Sequence, residues 1–283
     1  MTKILLAGAT GYLGRFILNE IENGEYRGRV VVRNRSKLKT PPDFKSEIIL
    51  AEVTKPNTLE NICQGIDVVI SAIGITKQKD GLTYMNVDFA ANKNLLNEAV
   101  KSSVKKFIYV SVLNGEKLRE LKICEAKEKF VDELINSGID YCIIRPNGFF
   151  SDMTEFYNMA KKGKIYLFGD GEFRANPIHG EDLAKVIVQN IETDVKEIKI
   201  GGPETLTQNE TAKAAFNALN KKVKIAYVPD RIRKFILWFI RTFTGSKTYG
   251  PIEFFMTIMA MEMTAPEYGN HTLREYFENL SKQ

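Results

Sequence analysis

Short apolar runs recur through the first half of the chain, at Ile4–Ala7, Val30–Val32, Glu47–Ala51, Val68–Ala72, Phe107–Val110 and Tyr141–Ile144. Most are rich in Val and Ile without polar alternation, the pattern of strands buried on both faces. Between them the spacing changes to that of helices, at Asn57–Gln64, Asp88–Ser102 and Cys124–Ser137. In the last stretch Phe130, Val131, Leu134 and Ile135 form one inward stripe. Strands alternating with helices predict an α/β chain built on a doubly wound parallel sheet, covered by helices on both faces.

After about residue 150 this regularity fades. Gly163, Gly169, Gly171, Pro177, Gly180, Gly201, Gly202 and Pro203 cut the chain into short strands and loops, with helical patterns near Asp182–Glu192 and Gln208–Asn220. The expected organisation is a core over residues 1–150 and a small mixed lobe over 151–283, some of whose segments return to the core. Within the lobe, Ile232, Phe235, Ile236, Phe239, Ile240 and Phe243 show the spacing of one helix face. Leu237 and Trp238 widen that face, Arg231, Arg233, Lys234 and Arg241 flank it, and Met256, Met259, Met261 and Met263 lie shortly beyond. Such a stripe fits the core of the lobe, the wall of a pocket for a large flat apolar molecule, or a helix over 231–243 lying in a membrane interface.

The first strand runs straight into Gly8-Ala9-Thr10-Gly11-Tyr12-Leu13-Gly14 and then into a helical pattern. Strand, glycine turn and helix in that order are the parts of a dinucleotide site, and they make the predicted sheet Rossmann-type. The pyrophosphate sits on N–H groups at the helix start, where the dipole favours negative charge. Gly8, Thr10, Gly11, Tyr12, Leu13 and Gly14 are therefore the candidate pyrophosphate residues. The second strand leads into Arg33-Asn34-Arg35, with no acid before Asp43 to select a ribose 2′-hydroxyl. Arg33 and Arg35 can instead neutralise a 2′-phosphate, so the expected cofactor is NADP(H) rather than NAD. Ligands of such sheets lie beyond the carboxyl ends of the strands, which puts Glu52 and Val53 by the adenine and Ser71, Ala72 and Ile73 near the nicotinamide ribose.

Composition narrows the picture further. The 40 basic and 35 acidic residues leave a net charge of +5 spread along the chain, so nucleic acid is not an expected partner. Three cysteines, Cys63, Cys124 and Cys142, and two histidines, His179 and His271, form no disulfide or zinc pattern; no metal is expected. The first strand begins at once, with no apolar leader, and no run approaches the roughly 18 apolar residues of a spanning helix. A cytoplasmic location without a transmembrane segment is the expectation.

These segments together resemble an atypical short-chain dehydrogenase/reductase over nearly the whole chain. The resemblance rests on GATGYLG at 8–14, VVVRNRSKL at 30–38, VISAIG at 69–74, FIYVSV at 107–112, AKEKFVDEL at 126–134, IIRPNGFF at 143–150, PIHGEDLA at 177–184 and YGNHTLREYFENL at 268–280. Within that family the chain is similar to the NAD(P)H-binding branch of NmrA-like proteins. Its AK-x-KF and RP-x-x-FF segments are similar to the divinyl chlorophyllide reductase type.

The resemblance implies a serine that polarises the substrate carbonyl, a tyrosine that delivers the proton, and a lysine four residues later that lowers the tyrosine pKa and holds the ribose. Ser111 and Lys127 occupy the serine and lysine positions, and Ile123 stands where the tyrosine belongs. That removes a general acid worth about 10²–10⁴ in rate. Three explanations stay open. Lys127, Tyr84 or water supplies the proton; hydride adds to a conjugated C=C bond with a solvent proton; or there is no chemistry. The resemblance also places Pro146, Asn147 and Phe149 at the nicotinamide, and makes His179, ahead of Glu181 and Asp182, structural rather than catalytic. The expected function is an NADPH-dependent reductase of a small apolar conjugated or carbonyl substrate. The alternative is a non-catalytic NADP-binding regulator or assembly factor.

Overall fold

A computed structural model describes residues 1–40, 43–76, 78 and 81–282. The chain divides into two compact units, Met1–Arg145 with Leu183–Ile198, and Pro146–Asp182 with Lys199–Gln283. The first carries strands β1 (Lys3–Ala7), β2 (Arg27–Val32), β3 (Glu47–Leu50), β4 (Val68–Ser71), β5 (Lys106–Val110) and β6 (Asp140–Pro146), with helices α1 (Tyr12–Asn23), α2 (Asn92–Lys101) and α3 (Lys122–Ile135). Next come α4 (Phe150–Lys161), β7 (Ile165–Phe168), β8 (Arg174–Ala175), α5 (Gly180–Gln189) and β9 (Glu197–Ile200). Strand β10 (Leu206–Thr207), α6 (Gln208–Ala218), β11 (Ile225–Val228), α7 (Asp230–Phe243), α8 (Ser246–Ile258) and α9 (Leu273–Ser281) complete the chain.

All six strands expected in the first half are present, and they pair in parallel in the order β3-β2-β1-β4-β5-β6. This is the Rossmann order, in which the chain reverses direction of travel between β1 and β4 and opens a crevice at their carboxyl ends. A seventh strand, β9, joins the β6 edge. Its alternation of Glu197, Ile198, Lys199 and Ile200 is that of a half-solvated edge strand, unlike the wholly apolar runs of the central strands. On one face Leu5, Val69, Phe107, Tyr109 and Ile143 pack beneath Leu95, Leu96, Phe130 and Leu134. Helix α1 buries Leu13, Ile17, Leu18 and Ile21, one stripe at helical spacing.

Two crossovers differ from the helices expected. Residues 57–64 form turns rather than a helix: the bonds Leu59 N–H to Pro56, Ile62 N–H to Leu59 and Gln64 N–H to Asn61 reach back only three residues. Asn61 has φ 62°, which interrupts any helix. Leu59, Ile62 and Cys63 are buried all the same, so the apolar spacing marked burial and not helix. The stretch expected as one helix from Asp88 opens instead with a π-helical segment, Met85–Ala91, before α2.

The second unit has its own core, in which Phe150, Phe156, Tyr157, Phe216, Leu273 and Phe277 meet. Thr207 and Thr272 start α6 and α9 with reciprocal capping boxes through Glu210 and Glu275. Helix α7 corrects the reading of its stripe as core. Of its residues only Leu237 is buried, while Phe235, Trp238 and Phe243 are 61%, 57% and 65% exposed. No helix among the described residues is long and apolar enough to cross a membrane.

Phe277 is fully buried in the second core. Phe277→Ala is expected to lower the unfolding free energy of that unit by about 3–5 kcal/mol, measured by urea denaturation.

Candidate cofactor and catalytic site

The glycine turn is built by close backbone packing. Gly8 leaves β1 with φ +95°, and a Cβ there would stand 2.8 Å from the Ala72 carbonyl oxygen at the end of β4. A Cβ on Gly14 would come within 2.0 Å of the Gly8 carbonyl oxygen, so α1 lies this close to the turn only with glycine at that position. Gly11 caps α1 and donates its N–H to the Gly8 carbonyl at 3.0 Å. No side chain caps this helix and no acid stands in its first turn. Its start therefore offers backbone donors and the positive end of the dipole to an anion, with Thr10 and Gly11 exposed beside them.

Beyond β2, Arg33 and Arg35 are both exposed. Asn34 Oδ1 accepts from the Ser36 N–H at 2.9 Å and holds the 3₁₀ turn Arg35–Lys37, while Arg35 Nη1 donates to the Leu38 carbonyl at 3.3 Å. Beyond β3, hydrogen bonds from Lys55 and Thr54, together with the charges of Lys55 and Arg33, hold the Glu52 carboxyl below the usual carboxylate range. The Val53 carbonyl accepts from Asn94 Nδ2 at 3.1 Å. Because β1 to β5 run parallel, the glycine turn, Arg33, Glu52, Ser71–Ile73 and Ser111 all stand at one carboxyl edge of the sheet.

At that edge the polar side chains are engaged with one another. Ser71 donates to Asn92 Oδ1, and Asn92 Nδ2 donates to the Asp88 and Val87 carbonyls at 2.9 and 3.3 Å. Those carbonyls lie in the π-helical turn, whose wide ladder leaves acceptors that the Asn92 amide satisfies. Lys127 Nζ stands 3.0 Å from Asp88 Oδ1, with Asp88 fully buried. Burial pulls the Lys127 ammonium down, but Tyr109 and Asp88 outweigh it and hold the lysine charged well above its usual range. Burial pushes the Asp88 carboxyl up in spite of Lys127. Gly74 passes so close that a Cβ would meet Asp88 Oδ1 at 2.8 Å and Lys127 Nζ at 3.0 Å.

Ser111 enters a second buried cluster. Its hydroxyl donates to Glu128 Oε1 at 2.8 Å, and Arg145 grips the same carboxylate through Nη1 at 2.6 Å and Nη2 at 2.9 Å. Arg145 Nε also donates to Glu197 Oε2 at 2.8 Å. The proton that would polarise a substrate carbonyl is thus donated inside the protein. Ile123, in the tyrosine position, is buried in the first turn of α3. Tyr84 donates to the Thr76 carbonyl at 2.8 Å, and burial raises its phenol further above its usual range. The thiols supply no nucleophile: burial pushes Cys63 and Cys124 up to about 12 and Cys142 up to about 11.

Pro146, Asn147 and Phe149 belong to the second unit. Asn147 is 5% exposed and its amide donates to Asn176 Oδ1 at 2.8 Å and to the Met263 carbonyl, so this side chain braces its own unit. Pro146 closes β6, and half-buried Phe149 precedes α4 with its N–H on Asp152 Oδ2 at 3.1 Å.

A family model described as NAD(P)H-binding matches residues 8–194. The chain belongs to this NAD(P)H-binding family. Divinyl chlorophyllide a 8-vinyl-reductase, chloroplastic, from Arabidopsis thaliana is 27% identical over 324 residues, covering 99% of this chain and 77% of that protein. Photosystem II assembly factor Ycf39 from Synechocystis sp. is 25% identical over 247 residues, covering 85% of this chain and 75% of that protein. Among solved structures, the NADPH-dependent quinone oxidoreductase QOR2 of Escherichia coli, complexed with NADPH, superposes with a TM-score of 0.75 at 16% identity, covering 98% of this chain and 99% of that one. Its likeness is one of fold.

Asp88 and Asn92 lie outside the motifs of the sequence, and Tyr109, Glu128 and Arg145, though inside FIYVSV, AKEKFVDEL and IIRPNGFF, carry no role that those motifs imply. A signal exists for three of them. Glu128 interrupts the apolar face of α3 four residues after Cys124 and three before Val131, and Asp88 and Asn92 extend the buried face of Leu95, Leu96 and Ala99. Charged or amide groups on an inward face must find partners there.

The Arg145–Glu128 pair separates two kinds of loss. Glu128→Ala leaves a buried guanidinium without its main partner and is expected to cost about 3–5 kcal/mol in chemical denaturation. Ser111→Ala removes one charged hydrogen bond and is expected to cost about 1.5–3 kcal/mol.

Proposed function

We propose that the chain binds NADPH along the carboxyl edge of the sheet and catalyses hydride addition to a conjugated C=C bond of a flat apolar substrate. The observation that carries this reading is the fate of the two carbonyl-polarising donors: Ser111 gives its proton to Glu128, and Ile123 has none to give. A carbonyl oxygen developing negative charge would find neither donor, whereas a conjugated carbon skeleton accepts hydride and takes its proton from water. The pyrophosphate fits the uncapped start of α1, and Arg33 and Arg35 are exposed where a 2′-phosphate would lie. When bound, the nicotinamide supplies the hydride. The chain's part is to hold and orient it, with Lys127 carrying a fixed positive charge against Asp88 behind the edge. The relative from Arabidopsis is by name a vinyl reductase, a C=C reaction of this class.

A second reading, NADP binding without turnover in an assembly factor, is favoured by the Ycf39 relative and by the exposed aromatic face of α7. We assign that face to an anionic membrane interface. Phe235, Trp238, Phe239 and Phe243 lie open beside Lys234 and Arg231, the arrangement of a helix lying in a headgroup layer.

NADPH oxidation measured by absorbance against enones, quinones and vinyl porphyrinoids separates the readings. Turnover of a conjugated alkene supports the reductase, and tight NADPH binding with no turnover supports the assembly factor. Arg33→Ala with Arg35→Ala is expected to weaken NADPH binding about 10–100-fold and leave NADH binding within about twofold, by fluorescence titration. Equal losses for both cofactors would end the NADP assignment. In flotation with vesicles containing anionic lipid, Phe235→Glu with Trp238→Glu is expected to abolish co-migration; co-migration unchanged by the two substitutions would refute the membrane assignment.

A further inference from the structure

The chain's two histidines, far apart in sequence, come together in the second unit. His179 and His271 stack with ring centroids 4.2 Å apart, and Glu181 stands with them, so that one donor atom from each of the three lies within 4.8 Å of the others. We propose that His179, Glu181 and His271 bind a divalent transition-metal ion, with zinc the best match to two imidazoles and a carboxylate.

A hydrogen bond already orients the His271 imidazole for this role. The Asp182 carboxylate accepts the His271 Nδ1 proton at 2.9 Å, so in the neutral ring Nε2 is the nitrogen that carries the lone pair. Nε2 stands 3.6 Å from Glu181 Oε2, a separation that one ion bound to both atoms would span. A carboxylate behind a metal-binding imidazole is the arrangement that fixes ring orientation and tautomer in zinc proteins. Asp182 is itself fixed: it is 3% exposed and also accepts the Asn270 and His271 backbone N–H groups at 3.3 and 3.2 Å. His179 Nδ1 accepts a long hydrogen bond of 3.3 Å from the Glu181 N–H, and ligation through this nitrogen exchanges that bond for one to the metal. Donors on a tetrahedral zinc stand about 3.3 Å apart, so binding requires the three atoms to draw together and the stacked rings to turn until their lone pairs converge. The helix starts at Gly180 and Leu273 oppose a cation through their dipoles, and the charges of Glu181 and Asp182 offset this and balance a divalent ion. Three protein donors leave the fourth position to water. The ion would tie residues 179–182 to residues 270–272.

The test uses the full chain, stripped with chelator and titrated with Zn²⁺ by calorimetry. One ion per chain is expected, with a raised melting temperature, and Glu181→Gln or His271→Asn weakening binding at least about tenfold. Cobalt in place of zinc reports the donor set through its visible absorption, which His179→Asn is expected to alter. NADPH binding is expected to stay within about twofold in all three variants. Absence of stoichiometric binding, or binding that survives His179→Asn with His271→Asn, overturns the proposal. Should the variants not fold, the imidazole NMR signals of the unmodified chain decide it, since zinc must shift both rings.

Discussion

The carboxyl edge of the sheet depends on a guanidinium taken out of water. Arg145, 3% exposed, holds both oxygens of Glu128, itself fully buried. Desolvating two charges is costly, and such pairs contribute little net stability compared with apolar packing. What the pair contributes is direction: a planar fork meets a carboxylate in one geometry, so β6 and α3 are locked in register. Ser111 and Glu197 join the same pair, drawing in the end of β5 and β9. The placement of Lys127 depends on it too, because its neighbour Glu128 sets the rotation of α3 and so the direction in which the lysine leaves the helix.

The engaged donors also describe the chemistry that the edge can support. Buried polar groups in folded proteins are almost always paired, and here the pairing consumes the hydroxyls of Ser71, Ser111 and Tyr84. Backbone, glycine and exposed arginine stay accessible. That inventory suits the holding of an anionic cofactor far better than the protonation of an oxyanion.

The strands of the first half and the glycine turn were legible in the sequence because each is a local pattern: a run of Val and Ile, or glycine at set spacing. The turns at residues 57–64 misled because Leu59, Ile62 and Cys63 are spaced as on a helix while Asn61 adopts a left-handed conformation that no spacing reveals. Strand β9 was missed through its alternating charges, which belong to an edge. The face of α7 read equally as core or as surface, since amphipathicity expresses a difference between two sides and not what covers either. Glu128, Asp88 and the histidine pair were hidden for a further reason. Their partners lie far along the chain, and the fold alone brings Arg145 to Glu128 or His271 to His179.

The π-helical turn at Met85–Ala91 has a consequence for which length changes the chain tolerates. A π turn is an α-helix carrying one extra residue, and each residue turns the remainder of the helix by about 100°. Deleting a single residue between Asp88 and Asn92 would restore an ordinary helix and turn Asp88 by about 100° relative to Asn92 and the face of Leu95. The partner of Lys127 is therefore specified by a residue count as much as by a residue type.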